Sequence, residues 1–240
     1  MKRLLLLLLP LILCGAASFN GSSQGASTTA SLSYGTNAVT VSYWVRFTGT
    51  TGARVIFESS SAYTGGTGRF IATYNDPSDG REAWAFRGAT YRLEHTGSAA
   101  ATNEWTHRVA VYSGGTFAGD VVVYINGFPA TLTVVNASAN FSGNFTDQRL
   151  YVGSRAESSL RLQSEIQDLA IYAGAVSAAE AYSLGAQRMS PLKVRSAKLL
   201  YYWPFSAGEN PSNSPDLVGG IPVNSGTKSI TTSQAPTFRK

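Results

Sequence analysis

Short apolar stretches alternate with polar and turn residues along most of the chain. In the segment TVSYWVRFT, every second position is apolar, while Trp44 and Arg46 have the opposite parity. Because successive side chains of a strand point to opposite faces, the apolar set shares one face. This set is Val41, Tyr43, Val45 and Phe47. Further segments with strand character are RVIFES, RFIATY, EAWAFRG, THRVAVYS, DVVVYING, ATLTVV, RLYVGS, DLAIYA and KLLYYWPF. Many short strands separated by turn residues predict an all-β sandwich or barrel.

Two local signals predict a turn and a helix. Asn126-Gly127 predicts a hairpin turn, because both residues tolerate the positive φ that a type I′ turn requires. Ser177 and Glu180 have the spacing of a capping box, in which each side chain accepts a hydrogen bond from the other residue's backbone N–H. Gly185 suits a left-handed cap at the opposite end. We therefore predict one short helix over residues 178–184.

The N-terminus has the order of a secretory signal peptide. A basic start at Lys2 and Arg3 precedes an apolar run, which is followed by small residues. The run is shorter than the roughly 20 apolar residues that span a bilayer. We predict a signal peptide over residues 1–17, with cleavage near Ala16 or Ala17, a secreted or cell-surface protein and no membrane span after cleavage. Two alternatives stay open: a retained N-terminal anchor, and lipid modification at Cys14.

Length and charge favour one domain without a nucleic-acid partner. After ordinary cleavage the chain has no cysteine, so its stability must come from its core and not from disulfides. The formal net charge is +5. Nucleic-acid binders concentrate such charge on one face, whereas here the basic residues are scattered. A mild cluster comprises Arg188, Lys193, Arg195 and Lys198. Residues 207–240 are rich in Pro, Ser, Gly and Asn and predict terminal loops, an edge strand or a loosely ordered tail.

The acidic residues lack the arrangement that sugar hydrolysis needs. Glycosidases place two carboxyl groups on either side of one bond. Glu165 and Asp168 are three residues apart, so a regular strand directs them to opposite faces. The even positions beside Glu165 hold Gln167 and Leu169, which cannot do this chemistry. A bulge, or acids from two different strands, would restore a pair. Motifs of serine hydrolases, P-loop proteins and zinc proteases do not occur, and we predict that the protein is not an enzyme.

Five segments follow the order of motifs in a known family. NEWTHRVAVYSGGTFAGDVVVYINGFPA contains a Trp-x-His-x-Ala strand and a Tyr-Ile-Asn-Gly hairpin, and LYVGS precedes EIQDLAIYAGAVSAAEAYSLG. SFNGSSQGASTT and YYWPFSAGENPSNSPDLVGG match its opening strand and a stretch near its end. The set resembles the laminin G-like and pentraxin-like jelly rolls of the concanavalin A type. The resemblance implies a two-sheet antiparallel jelly-roll sandwich over residues 18–206, with the short helix near 177–184.

The resemblance also implies calcium as a candidate cofactor. Relatives often bind calcium through oxygen ligands in rim loops, and the matching loops here are NDPSDGREAW and GSRAES. Asp79 is the expected ligand, with Asp76 and Glu157 as partners. Gly80 and Arg155 replace expected oxygen ligands, although calcium takes six to eight. The alternative is that NDPSDG forms only a tight turn.

A sugar site needs exposed aromatic faces beside polar groups. Candidate ligand-binding residues around the same rim and strand are Tyr63, Tyr74, Arg81, Trp84 and Arg87. Each aromatic residue has a place in the core as its alternative.

The fold and these residues together predict a secreted, lectin-like and non-enzymatic module that binds a glycan or an extracellular protein, with or without calcium. A structural or adhesive module of a surface assembly is the second hypothesis. A glycosidase or polysaccharide lyase is the third.

Overall fold

The computed structural model describes residues 15–49, 54–59, 70–75, 81–87, 92–99, 101–115, 117–136, 149–206 and 213–231. These residues form two antiparallel eight-stranded sheets and one α-helix, α1 (Ala178–Gly185). Short 3-10 turns lie at Ala118–Asp120, Pro191–Lys193 and Ser196–Lys198. The predicted all-β, two-sheet antiparallel fold with one short helix is therefore confirmed.

Sheet A consists of β1 (Ala16–Asn20), β3 (Val39–Phe47), β8 (Thr106–Tyr112), β9 (Val121–Ile125), β10 (Phe128–Pro129), β13 (Gln163–Ala173), β14 (Leu199–Trp203) and β16 (Ser229–Thr231). Its strand order is β10-β9-β8-β3-β13-β1-β16, and β14 also pairs with β13. Sheet B consists of β2 (Gly25–Thr28), β4 (Arg54–Ser59), β5 (Phe70–Asn75), β6 (Arg81–Arg87), β7 (Arg92–Ala99), β11 (Thr133–Asn136), β12 (Leu150–Val152) and β15 (Val223–Thr227). Its order is β11-β7-β6-β5-β4-β12-β2-β15.

The main core lies between the two sheets. The apolar face predicted for β3 is confirmed, because all four of its residues belong to this core: Val41, Tyr43, Val45 and Phe47. Aromatic pairs join the sheets: the ring centres of Tyr43 and Phe57 are 5.6 Å apart, and those of Phe86 and Tyr112 are 5.3 Å apart. Edge-to-face and offset pairs of this kind add to the free energy gained by burial.

A buried ion pair also crosses the core. Arg108 Nε of β8 lies 2.6 Å from Glu82 Oε2 of β6, and both side chains are almost completely buried. Each charge in such a pair depends on the other, so truncating one partner typically costs about 3–5 kcal/mol. The pair therefore fixes how β6 and β8 face each other across the sandwich.

Helix α1 covers part of the outer side of sheet A. The predicted capping box is present: Glu180 N donates to Ser177 Oγ at 3.3 Å, and Ser177 N donates to Glu180 Oε2 at 2.7 Å. Ala181 and Leu184 pack on outward-facing residues of the sheet in a second core. Those residues include Val109, Val111, Tyr124, Ala170 and Tyr172. The amphipathic face of α1 thus gives sheet A apolar contacts on both sides.

The hairpin turn is confirmed, but Gly185 has a different role from the one predicted. Asn126 and Gly127 both have positive φ, 52° and 89°. Gly185 lies inside α1, and the residue that ends the helix is Ala186 in a right-handed conformation. A Cβ atom on Gly185 would lie 2.4 Å from Gly127 N. The glycine is therefore needed because the helix and the turn approach each other backbone to backbone.

Both ends of the described chain belong to the sheets. β1 begins at Ala16, and Ala17 pairs with Ile166 of β13 and Ile230 of β16. The position of signal cleavage stays a prediction, and it falls inside this strand. Residues 223–231 form β15 and β16, the last strands of sheets B and A. The sequence predicts loops, an edge strand or a loosely ordered tail for residues 207–240. The described part of this range contains the edge strand.

Within the part of the chain that the structure describes, no helix is both long and apolar enough to cross a membrane.

Candidate functional site

Polar and small residues line up across the outer face of sheet B. On β6, Trp84 and Phe86 enter the core, so Ala83 and Ala85 face outward. Strand pairing aligns one residue from each of seven strands in a row: Asn136, Glu94, Ala85, Ala72, Glu58, Tyr151 and Ser27. The row runs nearly the full width of the sheet and reaches a half-buried tyrosine, Tyr151, near one end. Ser27, Glu58, Ala85 and Glu94 of this row are buried, whereas Tyr151 is partly exposed. The candidate binding surface is therefore the end of the row around Tyr151.

Charged side chains surround Tyr151. The centre of the Arg149 guanidinium lies 5.4 Å from the Tyr151 ring. Arg149 Nη2 donates to Ser27 Oγ at 2.7 Å, and Ser27 Oγ donates to Glu157. On the other side, Arg155 Nε donates to Glu58 Oε2 at 2.8 Å. We name this set the Tyr151 cluster: Ser27, Glu58, Arg149, Tyr151, Arg155 and Glu157.

The loop after β12 positions two members of the cluster. Ala156 and Glu157 both have positive φ, 48° and 57°. Arg155 N donates to Ser159 O at 2.9 Å, which closes the turn. Left-handed conformations of non-glycine residues cost free energy and are concentrated at functional sites. The loop therefore holds the Arg155 and Glu157 side chains beside the sheet face.

The predicted sugar-binding residues are only partly brought together. Trp84 is fully buried in the main core, which is the alternative that the sequence left open, so its ring presents no face to a ligand. Arg81 is exposed at the start of β6. Tyr74 pairs with Ala83, and Arg87 pairs with Phe70. Tyr63 lies outside the described residues.

The calcium prediction now depends on residues outside the described part. Asp76 and Asp79 are among the residues that the structure does not describe. Glu157 accepts a hydrogen bond from Ser27 and lies 3.8 Å from Arg149 Nη2, so its carboxylate already has a cationic neighbour. The described residues contain no group of three or more His, Cys, Asp or Glu side chains that would hold a metal ion. They do not fit a calcium ion by themselves, since calcium takes six to eight oxygen ligands.

Two carboxylates of the row are too far apart to act on one glycosidic bond. Glu58 and Glu94 are separated by β5 and β6, or three strand spacings of about 4.8 Å, hence about 14 Å. Glycosidases need carboxyl groups about 5–10 Å apart. Burial raises the pKa of Glu94, and the hydrogen bond from Asn136 Nδ2 at 3.1 Å opposes that rise. Glu58 and Glu94 therefore do not form a carboxyl pair that could act on one glycosidic bond.

The parity argument for Glu165 and Asp168 is wrong for this strand. A bulge interrupts β13 between Gln167 and Ala170, and Asp168 has a positive φ of 53°. Both carboxylates therefore reach the outer side of sheet A, opposite the Tyr151 cluster. Glu165 Oε2 is 2.6 Å from Arg46 Nη2, and Asp168 Oδ1 accepts from Tyr202 Oη at 2.5 Å. Each carboxylate thus has a structural partner.

Sequence reasoning missed most of the Tyr151 cluster. The available signal was the segment RLYVGS, in which Leu150 and Val152 are apolar and Tyr151 has the opposite parity. The partners Ser27 and Glu58 come from distant strands, and no spacing along the chain connects them to Tyr151. Glu157 is the one predicted residue that belongs to the cluster.

The comparisons with known proteins identify the family. The sequence profile of the concanavalin A-like lectin/glucanases superfamily, in its laminin G-like branch, matches residues 20–181. The chain therefore belongs to this superfamily. No curated protein matches the sequence significantly.

Several solved structures share the fold. A pentraxin from Limulus polyphemus is 15% identical, with a TM-score of 0.52, 72% of this chain covered and 82% of that one. A putative carbohydrate binding protein from Bacteroides ovatus is 16% identical, with a TM-score of 0.61. The match covers 95% of this chain and 62% of that one. Domain 4 of an extracellular arabinanase from Geobacillus stearothermophilus, solved with arabinotriose, is 24% identical over 71% and 76% of the two chains, with a TM-score of 0.54.

Proposed function

We propose that this protein is an exported, non-catalytic module that binds a glycan on the outer face of sheet B. The observation that carries the proposal is the Tyr151 cluster: a half-buried aromatic ring with charged and hydroxyl groups beside it. Carbohydrate modules such as the arabinotriose-bound domain share the fold, and this supports the class of ligand without fixing the sugar.

The chemistry of the cluster suits a sugar. A pyranose or furanose ring presents an apolar C–H face, which packs on an aromatic ring, and hydroxyl groups that need hydrogen bonds. Arg149 and Glu157 on one side of Tyr151 and Arg155 on the other are partly exposed and supply donors and an acceptor, while the buried Glu58 holds Arg155 in place. Their mutual ion pairs hold them in place before a ligand arrives, which reduces the entropy cost of binding.

A glycan array followed by calorimetry tests this proposal. Tyr151→Ala should weaken binding to the best glycan at least about tenfold, because stacked aromatic residues often dominate such interfaces. Tyr182→Ala is the matched control, since Tyr182 is an exposed tyrosine on α1, on the opposite side of the sandwich. Repeating the titration with a chelator decides the calcium question. Equal binding by the Tyr151→Ala protein, or no binding to any glycan, would contradict the proposal.

One observation favours the second hypothesis, an adhesive module. β11 is the last strand of sheet B, and Val134 and Val135 are about half exposed on it. A cleft of about 350 Å³ lies beside it, lined by residues that include Val121, Val123 and Leu132. Exposed edges with apolar side chains pair readily with other strands. If this edge is adhesive, sedimentation should show that the protein self-associates. The Val135→Lys variant should then stay monomeric, because the lysine abolishes the contact.

A further inference from the structure

The outer side of sheet A carries exposed apolar side chains that its own core does not use. Phe128 of β10 is 59% exposed, Tyr182 of α1 is 42% exposed, and Leu192 is 45% exposed in the 3-10 turn Pro191–Lys193. The rings of Phe128 and Tyr182 meet edge to face with centres 5.6 Å apart. Large side chains that stay exposed together commonly mark an interaction surface.

Exposed cations lie on the same side. Arg188, Lys193 and Lys198 are exposed, and no acidic residue occurs in the sequence between Glu180 and Glu209. The carboxylates of Glu165, Asp168 and Glu180 also lie on this side, and each is held by a partner: Arg46, Tyr202 and Arg195. Arg188 is anchored, because its guanidinium lies 5.9 Å from the Trp44 ring on the outer face of β3. We name the six residues the basic-aromatic side: Phe128, Tyr182, Arg188, Leu192, Lys193 and Lys198.

These residues are spread over a wide area. Phe128 belongs to β10, Arg188 lies over β3, and Lys198 directly precedes β14. The turn that holds Leu192 and Lys193 contacts β13, where Tyr172 Oη donates to Pro191 O at 3.5 Å. From β10 to β14 the path crosses β9, β8, β3 and β13, which is five strand spacings or about 24 Å.

We propose that the basic-aromatic side docks the protein on an anionic lipid surface. Interfacial proteins combine Lys and Arg with Phe, Tyr or Leu, because the cations meet lipid head groups while the apolar side chains enter the boundary below them. A bilayer offers both anionic head groups and an apolar boundary along the whole 24 Å side, whereas a soluble polyanion offers the three apolar side chains no apolar boundary. Leu192 also gains free energy when its apolar side chain moves from water into the acyl chains.

Docking in this orientation leaves the opposite face of the sandwich free. The Tyr151 cluster lies on the outer face of sheet B, so the protein binds lipid and a second ligand at the same time. The attachment is peripheral and reversible, since three cations and three apolar side chains contribute far less than a membrane-spanning helix. It also weakens with salt, because the attraction between a cation and an anionic surface is screened.

Vesicle flotation with the full-length chain tests this proposal. Vesicles of phosphatidylcholine alone are compared with vesicles that also contain phosphatidylglycerol, at low and at high salt. The expected result is binding to the anionic vesicles that falls as salt rises. Replacement of a cation by glutamine, as in Arg188→Gln, Lys193→Gln and Lys198→Gln, should weaken binding about fivefold for each charge removed. Phe128→Ser with Tyr182→Ser should weaken it further.

Matched controls lie on the other sheet. Arg81→Gln removes an exposed cation, and Val135→Ser removes an exposed apolar side chain. Both should leave vesicle binding unchanged. The N-terminal apolar segment is the same in every variant, so differences between variants report this side alone. Circular dichroism confirms that each variant folds.

Three outcomes would overturn the proposal. The first is equal binding to neutral and anionic vesicles, and the second is an equal loss of binding in the control variants. The third is capture of the protein by a soluble polyanion, such as dextran sulfate, with no binding to anionic vesicles, which would assign this side to a charged polysaccharide.

Discussion

At the scale of single residues, His107 shows how burial sets a protonation state. It is 2% exposed, its Nε2 lies 3.0 Å from Ser42 Oγ, and its ring centre is 4.9 Å from that of Trp44. Burial, and then the charge of Arg108, lower the pKa of His107 from 6.5 to about 3. The imidazole is therefore neutral in the folded protein and belongs to the packing of sheet A.

This shift makes stability depend on pH in a defined window. Between about pH 6.5 and pH 3 the unfolded chain binds a proton at His107 that the folded chain does not bind. Stability is thus fully present above the unfolded pKa and falls as pH drops through the window. Urea unfolding at several pH values should show this decline, and His107→Gln should flatten it.

The chain has one other histidine, His95. Comparing the slopes of His95→Gln and His107→Gln shows how much of the pH dependence comes from His107. If His107→Gln keeps the full pH dependence of the native protein, the neutral buried imidazole is contradicted.

Residue parity predicted the core correctly where strands are regular and failed where they are not. The apolar face of β3 follows from alternation. At Asp168 a bulge reverses the alternation, and a second irregularity in β4 places both Ile56 and Phe57 in the core. A bulge depends on how two distant strands pair, so the residues around it do not reveal it. The Tyr151 cluster could not be predicted from the sequence for the same reason, because its members come together only when distant strands pair.

At the scale of elements, α1 combines a feature that the sequence predicts with one that it does not. The capping box is local, and its two residues are enough to locate the helix start. The contact between Gly185 and Gly127 joins residues 58 positions apart, as their numbers show, and arises from tertiary packing. The glycine that suited a helix cap is instead required for this close approach.

Gly185→Ala should therefore destabilise the protein although alanine favours helices. The added methyl group would meet the backbone of the turn, and overpacking of this kind typically costs about 1–3 kcal/mol. Denaturant unfolding measures the loss. Gly119→Ala is the control, because a Cβ atom there has no heavy atom within 4 Å. A Gly185→Ala protein as stable as the native one would show that α1 and the hairpin are not in tight contact.

At the scale of the whole molecule, the C-terminal strands complete both sheets. β15 pairs with β2 in sheet B, and β16 pairs with β1 in sheet A. Val223 is buried in the main core, and Trp203 Nε1 donates to Ile221 O at 2.9 Å. Composition alone suggested loops, an edge strand or a loose tail for this part of the chain. The alternation that marks strands is weak there, because these strands are short and rich in Ser, Thr and Gly.

A chain that ends at Ser206 should consequently lose solubility or fold incompletely, since it uncovers the core and the edges of β1 and β2. A chain that ends at Thr231 keeps both strands and should behave as the full-length protein does. Size-exclusion chromatography and circular dichroism distinguish the two. A monomeric, fully folded protein ending at Ser206 would mean that β15 and β16 are dispensable.

The position of β1 sets the order in which the protein is able to fold. The first strand of the chain lies between β13 and β16, so its neighbours are residues 163–166 and 229–231. A ribosome must deliver the chain as far as residue 231 before this strand has both of its partners. Pairings over such sequence distances slow folding to milliseconds or seconds. During synthesis β1 therefore lacks one of its two sheet neighbours until residues 229–231 have left the ribosome.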